Sequence, residues 1–155
     1  MQNDLPAARN LFLADDNLED CRAFERAIME INIHTKLTTV TDGEELMQLL
    51  SHFVPELLFL DLEMPCKNGI QCLQMIREEK AFSALPVVVF SATRRNNNIQ
   101  VAYGFGANLF FTKPGNYNEL KASLETILKM NWDDPDTITE RYFRNNQYLP
   151  FSPNF

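Results

Sequence analysis

Asp15, Asp16, Asp61, Ser91 and Lys113 are the residues whose types and spacing point to chemistry. A carboxylate can attack phosphorus and form an acyl phosphate. Three carboxylates drawn together would repel one another, so their convergence makes sense mainly around a hard divalent cation. Mg2+ is the cation expected, because it prefers oxygen ligands and keeps several waters. A lysine supplies a point charge for a phosphoryl oxygen, and a serine supplies a hydroxyl donor.

These residues are far apart in the chain, and the elements before them must bring them together. Each follows an apolar run too short for a typical helix: Asn10 to Ala14, Leu57 to Leu60, Val87 to Phe90 and the weaker Leu109 to Thr112. A fifth run, Lys36 to Val40, completes the set. Between them the apolar period becomes helical, at Phe24, Ala27, Ile28 and Ile31 and again at Leu46, Leu49, Leu50 and Phe53. Ile70, Leu73 and Ile76 mark a third helix, Asn96 to Phe105 a fourth, and Leu120, Leu124, Ile127 and Leu128 a fifth. Alternating strands and helices require right-handed crossovers, so the predicted fold is α/β, a doubly wound (βα)5 sandwich with a five-stranded parallel sheet. In such sheets ligands bind beyond the carboxyl ends of the strands at the topological switch point, where these residues fall.

The order of acidic pair, Asp, Ser and Lys-Pro resembles the response regulator receiver family, over roughly residues 9 to 130. The stretch DLEMPCKNG adds Pro65 and Gly69, four and eight positions after Asp61, as that family has them. The resemblance implies a flavodoxin-like, CheY-like fold and a role in a two-component phosphorelay. Asp61 would accept a phosphoryl group from a sensor histidine kinase, a histidine phosphotransfer protein or a small donor such as acetyl phosphate. Asp15, Asp16, Asp61 and the backbone carbonyl of Glu63 would hold Mg2+. Lys113 and Ser91 would contact the phosphoryl group, with Ser91 and the aromatic Phe110 as switch residues. Phe110 stands where relatives often carry Tyr, Gly115 where many carry an aromatic, and Glu63 and Thr93 where the family tunes dephosphorylation. The protein would catalyse only its own phosphorylation and dephosphorylation, and would not be an enzyme acting on other substrates.

Taken singly, Asp15 or Asp16 is equally what a helix N-cap uses, a strand-end Ser is common, and Phe110 could be ordinary core. Two rival functions follow the same residues. A haloacid-dehalogenase-like phosphatase also uses a strand-end Asp with Mg2+, but wants Asp two positions later, where this chain has Glu63, and its acidic pair comes after the Lys. A degenerate receiver would act only as an interaction module, against which the intact constellation argues.

A formal charge of -7 disfavours nucleic acid and anionic lipid as partners. No apolar run approaches the roughly 18 residues of a membrane span, and MQNDLPAARN lacks the pattern of a signal peptide, so a cytoplasmic location is expected. Cys21, Cys66 and Cys72 form no CxxC pair and are expected to be reduced. His34 and His52 lie outside the constellation and read as surface residues. A receiver domain over residues 1–130 would be followed by an extension, residues 131–155, holding Trp132, Tyr142, Phe143, Tyr148, Phe151 and Phe155. That extension is too aromatic for a disordered tail, and its prolines rule out one continuous helix. It resembles the extensions of single-domain regulators associated with bacterial phytochromes. It is expected either to fold back on its own domain or to support a homodimer, while the downstream target is open.

Overall fold

Strands buried on both faces are written as unbroken apolar runs, and such runs form the centres of β1 (Arg9–Ala14), β3 (Leu57–Leu60) and β4 (Val87–Ser91). The computed structural model describes residues 9–31 and 34–154; the residues before Arg9, on which the signal-peptide expectation rests, and Phe155 lie outside that range. With β2 (Thr35–Val40) and β5 (Leu109–Thr112) the strands make one parallel sheet in the order β2-β1-β3-β4-β5. The predicted doubly wound (βα)5 sandwich is the one observed. The chain leaves β1 for β2 on one side and returns to β3 on the other, which puts the switch point between β1 and β3. Ala14 pairs with Leu60 there, so Asp15 and Asp61 leave the sheet side by side.

Alternation along each strand sorts the core into two layers. Leu11, Leu13, Phe59 and Val88 pack with α1 (Leu18–Glu30) and α5 (Tyr117–Leu128). Phe12, Ala14, Leu58 and Val89 pack with α2 (Gly43–Leu50), α3 (Gly69–Glu78) and α4 (Asn96–Gly104). Asn17, Asp42, Asn68 and Asn116 cap four of these helices with a side-chain oxygen. The remaining helix, α4, has no side-chain cap.

One sequence expectation needs correction. The apolar period of Leu46, Leu49, Leu50 and Phe53 predicts a helix that runs on to Phe53, but α2 ends at Leu50 and Phe53 is 67% exposed. Its amide still donates to the Leu49 carbonyl, closing the end of the helix, and the chain then extends toward Pro55, which cannot continue it.

Residues after Met130 join the same core. Pro135 opens α6 (Pro135–Arg141), as its fixed φ and missing N–H allow at a first turn. A two-residue Asn145-Asn146 turn, both at positive φ, links β6 (Phe143–Arg144) to β7 (Gln147–Tyr148). Trp132, Ile138 and Tyr142 are buried in the layer of α1 and α5. No helix among the described residues is long and apolar enough to cross a membrane. All three cysteines are free thiols, and His34 and His52 are exposed.

Candidate functional site

The sheet backbone sets the carboxylates. The Asp61 amide donates to the Ala14 carbonyl at 2.9 Å and the Asp15 amide to the Val40 carbonyl at 3.0 Å, tying three strand ends together. Asp15 is fully buried and Asp61 is 5% exposed, while Asp16 is exposed. Asp15 Oδ1 accepts from the Asn17 amide at 3.0 Å, and Asp61 Oδ1 accepts from the Glu63 amide at 3.4 Å. One carboxylate oxygen from each of Asp15, Asp16 and Asp61 lies within 4.8 Å of the other two. Gly69 makes room behind them: a Cβ there would stand 2.3 Å from the Asp61 carbonyl oxygen.

Lys113 closes the site from β5. Its ammonium lies 2.8 Å from Asp15 Oδ2, 2.8 Å from Asp20 Oδ2 and 3.4 Å from Asp61 Oδ2, with the Phe90 ring beneath it at 5.1 Å. Burial works against this charge, but the contacts with Asp15 and Asp20 and the charge of Asp61 hold its pKa above the ordinary value. Burial raises the Asp61 carboxyl to about 7; Lys113 opposes that rise and Asp15 adds to it. Cys21, whose Sγ donates to the Asp15 carbonyl oxygen at 3.3 Å, is pushed up to about 11 by burial and by Asp15, and is no nucleophile here.

The donor set fits a hard cation on two grounds. All three candidate ligands are carboxylates, the hard oxygen donors that Mg2+ prefers. Asp15 Oδ2, fully buried, meets Lys113 at ion-pair distance but out of line for a hydrogen bond, so a lone-pair direction stays unused. The cleft in front of these oxygens has a volume of about 410 Å³ and is walled by Asp16, Asp61, Glu63, Ser91 and Lys113.

Ser91 ends β4 and is 2% exposed; its Oγ accepts from the Thr93 amide at 3.3 Å, and its carbonyl accepts from the Lys113 amide at 2.7 Å. Phe110 is fully buried in the layer of α2, α3 and α4. It lacks a hydroxyl, and Tyr103 on α4 supplies one. The Tyr103 hydroxyl accepts from the Phe110 amide at 3.0 Å and donates to the Leu149 carbonyl at 2.8 Å. The C-terminal segment is tied down around it: Tyr148 stacks on Tyr103 at 4.5 Å, Gln100 bonds both backbone groups of Tyr148, and the Phe151 amide donates to the Phe110 carbonyl at 2.6 Å. Gly115 has no positive φ and a Cβ there would touch nothing, so neither backbone nor space demands glycine.

The structure thus brings Asp16, Asp61, Glu63, Ser91 and Lys113 to one cleft, sets the buried Asp15 carboxylate beside Asp16 and Asp61, and leaves Phe110 in the core. Sequence reasoning missed Asp20 and Tyr103. Asp20 is one of two acids in the first turn of α1, and Tyr103 lies on the buried face of α4, so neither stands out by type or spacing.

The response regulator receiver domain model matches residues 11–125. Among curated proteins, response regulator Rre1 of Synechocystis sp. is 30% identical over 131 residues, covering 84% of this chain. The chain spans 56% of the length of that protein. Among solved structures, the phosphorylated cyanobacterial phytochrome response regulator RcpA matches with a TM-score of 0.73 and 30% identity, over 78% of this chain and 91% of its own. The Mn(2+)-bound form of response regulator Rcp1 matches with a TM-score of 0.71 and 25% identity, over 77% and 91% of the two chains.

Proposed function

Since the chain belongs to the response regulator receiver family, we propose that Asp61 is its phosphoacceptor and that phosphorylation switches a protein-binding surface. The observation that carries this reading is the meeting of three carboxylates and Lys113 at the β1–β3 switch point. The donor would be a sensor histidine kinase or a histidine phosphotransfer protein in the cytoplasm, with acetyl phosphate as a small substitute. An Asp61 oxygen attacks phosphorus, the bond from phosphorus to the donor's nitrogen or acyl oxygen breaks, and the donor leaves with that electron pair. Asp15, Asp16, Asp61 and the Glu63 carbonyl would hold Mg2+, which when bound supplies positive charge for the phosphoryl oxygens. That a similar protein, response regulator Rcp1, has a Mn(2+)-bound form supports a divalent ion as the cofactor.

Lys113 holds a further phosphoryl oxygen as a point charge, and the Phe90 ring beneath it limits where the ammonium can go. Ser91 donates its hydroxyl to the phosphoryl group, releasing the Thr93 amide it now engages and drawing the β4 loop inward. Lys113 and Ser91 are joined through the backbone, so both movements reach β5 and Phe110. The tail bonded to Phe110 and Tyr103 is then the surface that responds, and residues 131–155 act as its output element rather than as a separate domain. The exposed Val101 on α4 and Phe143 on β6 support a second copy of the chain as one partner of this region. The chain catalyses its own phosphorylation and dephosphorylation and no other reaction.

Incubation with acetyl phosphate and Mg2+ tests the reading. Labelling should proceed with the metal and stop on chelation, because Asp15, Asp16 and the incoming oxygens otherwise crowd like charge into one pocket. Equal labelling rates with and without a chelator would reject it.

A further inference from the structure

We propose that Asp20 is a positioning residue that tethers the Lys113 ammonium at the site from α1. This inference rests on the reading of Lys113 as the phosphoryl contact. Asp20 lies at the third position of α1, where a side chain can reach back to the N-cap amide and complete a capping box. In α3 that happens: Gln71 Oε1 accepts from the Asn68 amide at 2.9 Å while Asn68 Oδ1 accepts from the Gln71 amide at 2.9 Å. In α1 only half of the box forms. Asn17 Oδ1 accepts from the Asp20 amide at 3.0 Å, but the Asn17 amide is taken by Asp15 Oδ1. The Asp20 carboxylate is thereby released from local capping, and it reaches Lys113 across 93 residues of sequence at 2.8 Å.

What the tether does follows from the company Lys113 keeps. Its other two carboxylates, Asp15 and Asp61, belong to the cation-binding triad, and Asp20 does not. With a divalent ion held by the triad, the negative charge of Asp15 and Asp61 would be drawn away from the lysine, and the ion would repel the ammonium. Asp20 is the carboxylate that keeps its full charge for Lys113 under those conditions. The ammonium therefore stays beside Asp61, ready for a phosphoryl oxygen, instead of swinging into solvent. Asp20 lines the same cleft but stands outside the carboxylate triad, and its role is exerted through Lys113.

Asp20→Asn keeps the shape and one acceptor oxygen but removes the charge, and Glu19→Gln removes a charge from the same helical turn without touching Lys113. The first readout is the limiting rate of phosphorylation by acetyl phosphate with saturating Mg2+, expected to fall roughly five- to tenfold in Asp20→Asn and to hold in Glu19→Gln. The second needs no phosphoryl transfer: the rate at which Lys113 undergoes reductive methylation in the Mg2+-loaded protein, read by peptide mass. It should rise several-fold in Asp20→Asn only. Equal slowing in both variants would assign the effect to the charge of the helix terminus and overturn the tether, as would an unchanged methylation rate in Asp20→Asn. If the wild-type chain took no label at all, the phosphoacceptor reading would fall, while methylation would still decide whether Asp20 holds Lys113.

Discussion

At the scale of the residue, a carboxylate kept out of water has a thermodynamic consequence. Burial lifts the Asp61 carboxyl to about 7, above its unfolded value of about 3.9. A raised folded pKa contributes stability that is fully present below the unfolded value and is lost as pH rises through the folded one. In chelator, each pH unit between about 4 and about 7 should therefore remove at most about 1.4 kcal/mol through this group. Asp61→Asn abolishes that dependence. Thermal melts at pH 5 and pH 8 should show the variant gaining on the wild type as pH rises; a constant difference between them would remove Asp61 from the account. Tyr103 offers a second test. Tyr103→Phe deletes the hydroxyl shared by the Phe110 amide and the Leu149 carbonyl, leaving a buried N–H unpaired at a cost of about 1–3 kcal/mol. Amide exchange at Phe110 should accelerate more than in the β1 strand, where no partner is lost.

At the scale of the element, the turn from β3 to α3 is held by close backbone approach. A Cβ at Gly69 would meet the Asp61 carbonyl oxygen at 2.3 Å and Leu62 Cα at 2.7 Å, both backbone atoms that cannot turn aside. Gly69→Ala should lower stability by about 3 kcal/mol and slow phosphorylation, because the strain falls on the acceptor's own peptide. A variant with wild-type melting and labelling would deny that the spacing of Asp61 and Gly69 is a steric requirement. The strands were legible in the sequence because β3, most of β4 and the second half of β1 are buried on both faces and read as short unbroken apolar runs. The residues after them were legible because every parallel strand ends on the same edge. Phe53 was not, since a helical period continues on paper past the residue where the backbone stops. Asp20 was not, because its use depends on which group takes the Asn17 amide, and that is settled by the fold. The short α6 and the β6–β7 hairpin left only weak traces, a proline and a pair of asparagines.

At the scale of the whole molecule, the segment after Met130 is bound to the parts expected to move. It contributes Trp132, Ile138 and Tyr142 to the core and lays Tyr148 and Phe151 over α4 and β5. A buried side chain of this size is worth about 1.5–3 kcal/mol, so a chain ending at Met130 should lose several kcal/mol and expose the edge of β5. Sedimentation of that chain and of the full one, each with and without acetyl phosphate, tests self-association: the full chain should gain mass and the shortened one should not. An unchanged monomer throughout would leave the tail a role within one molecule. The most direct measurement is intact mass, followed by peptide mapping, after incubation with acetyl phosphate and Mg2+. The wild-type protein should gain one phosphoryl group, located at Asp61, and Asp61→Asn should gain none. An Asp61→Asn variant that takes up the same mass, or a label mapped to another residue in the wild type, would contradict the assignment of Asp61 as the acceptor.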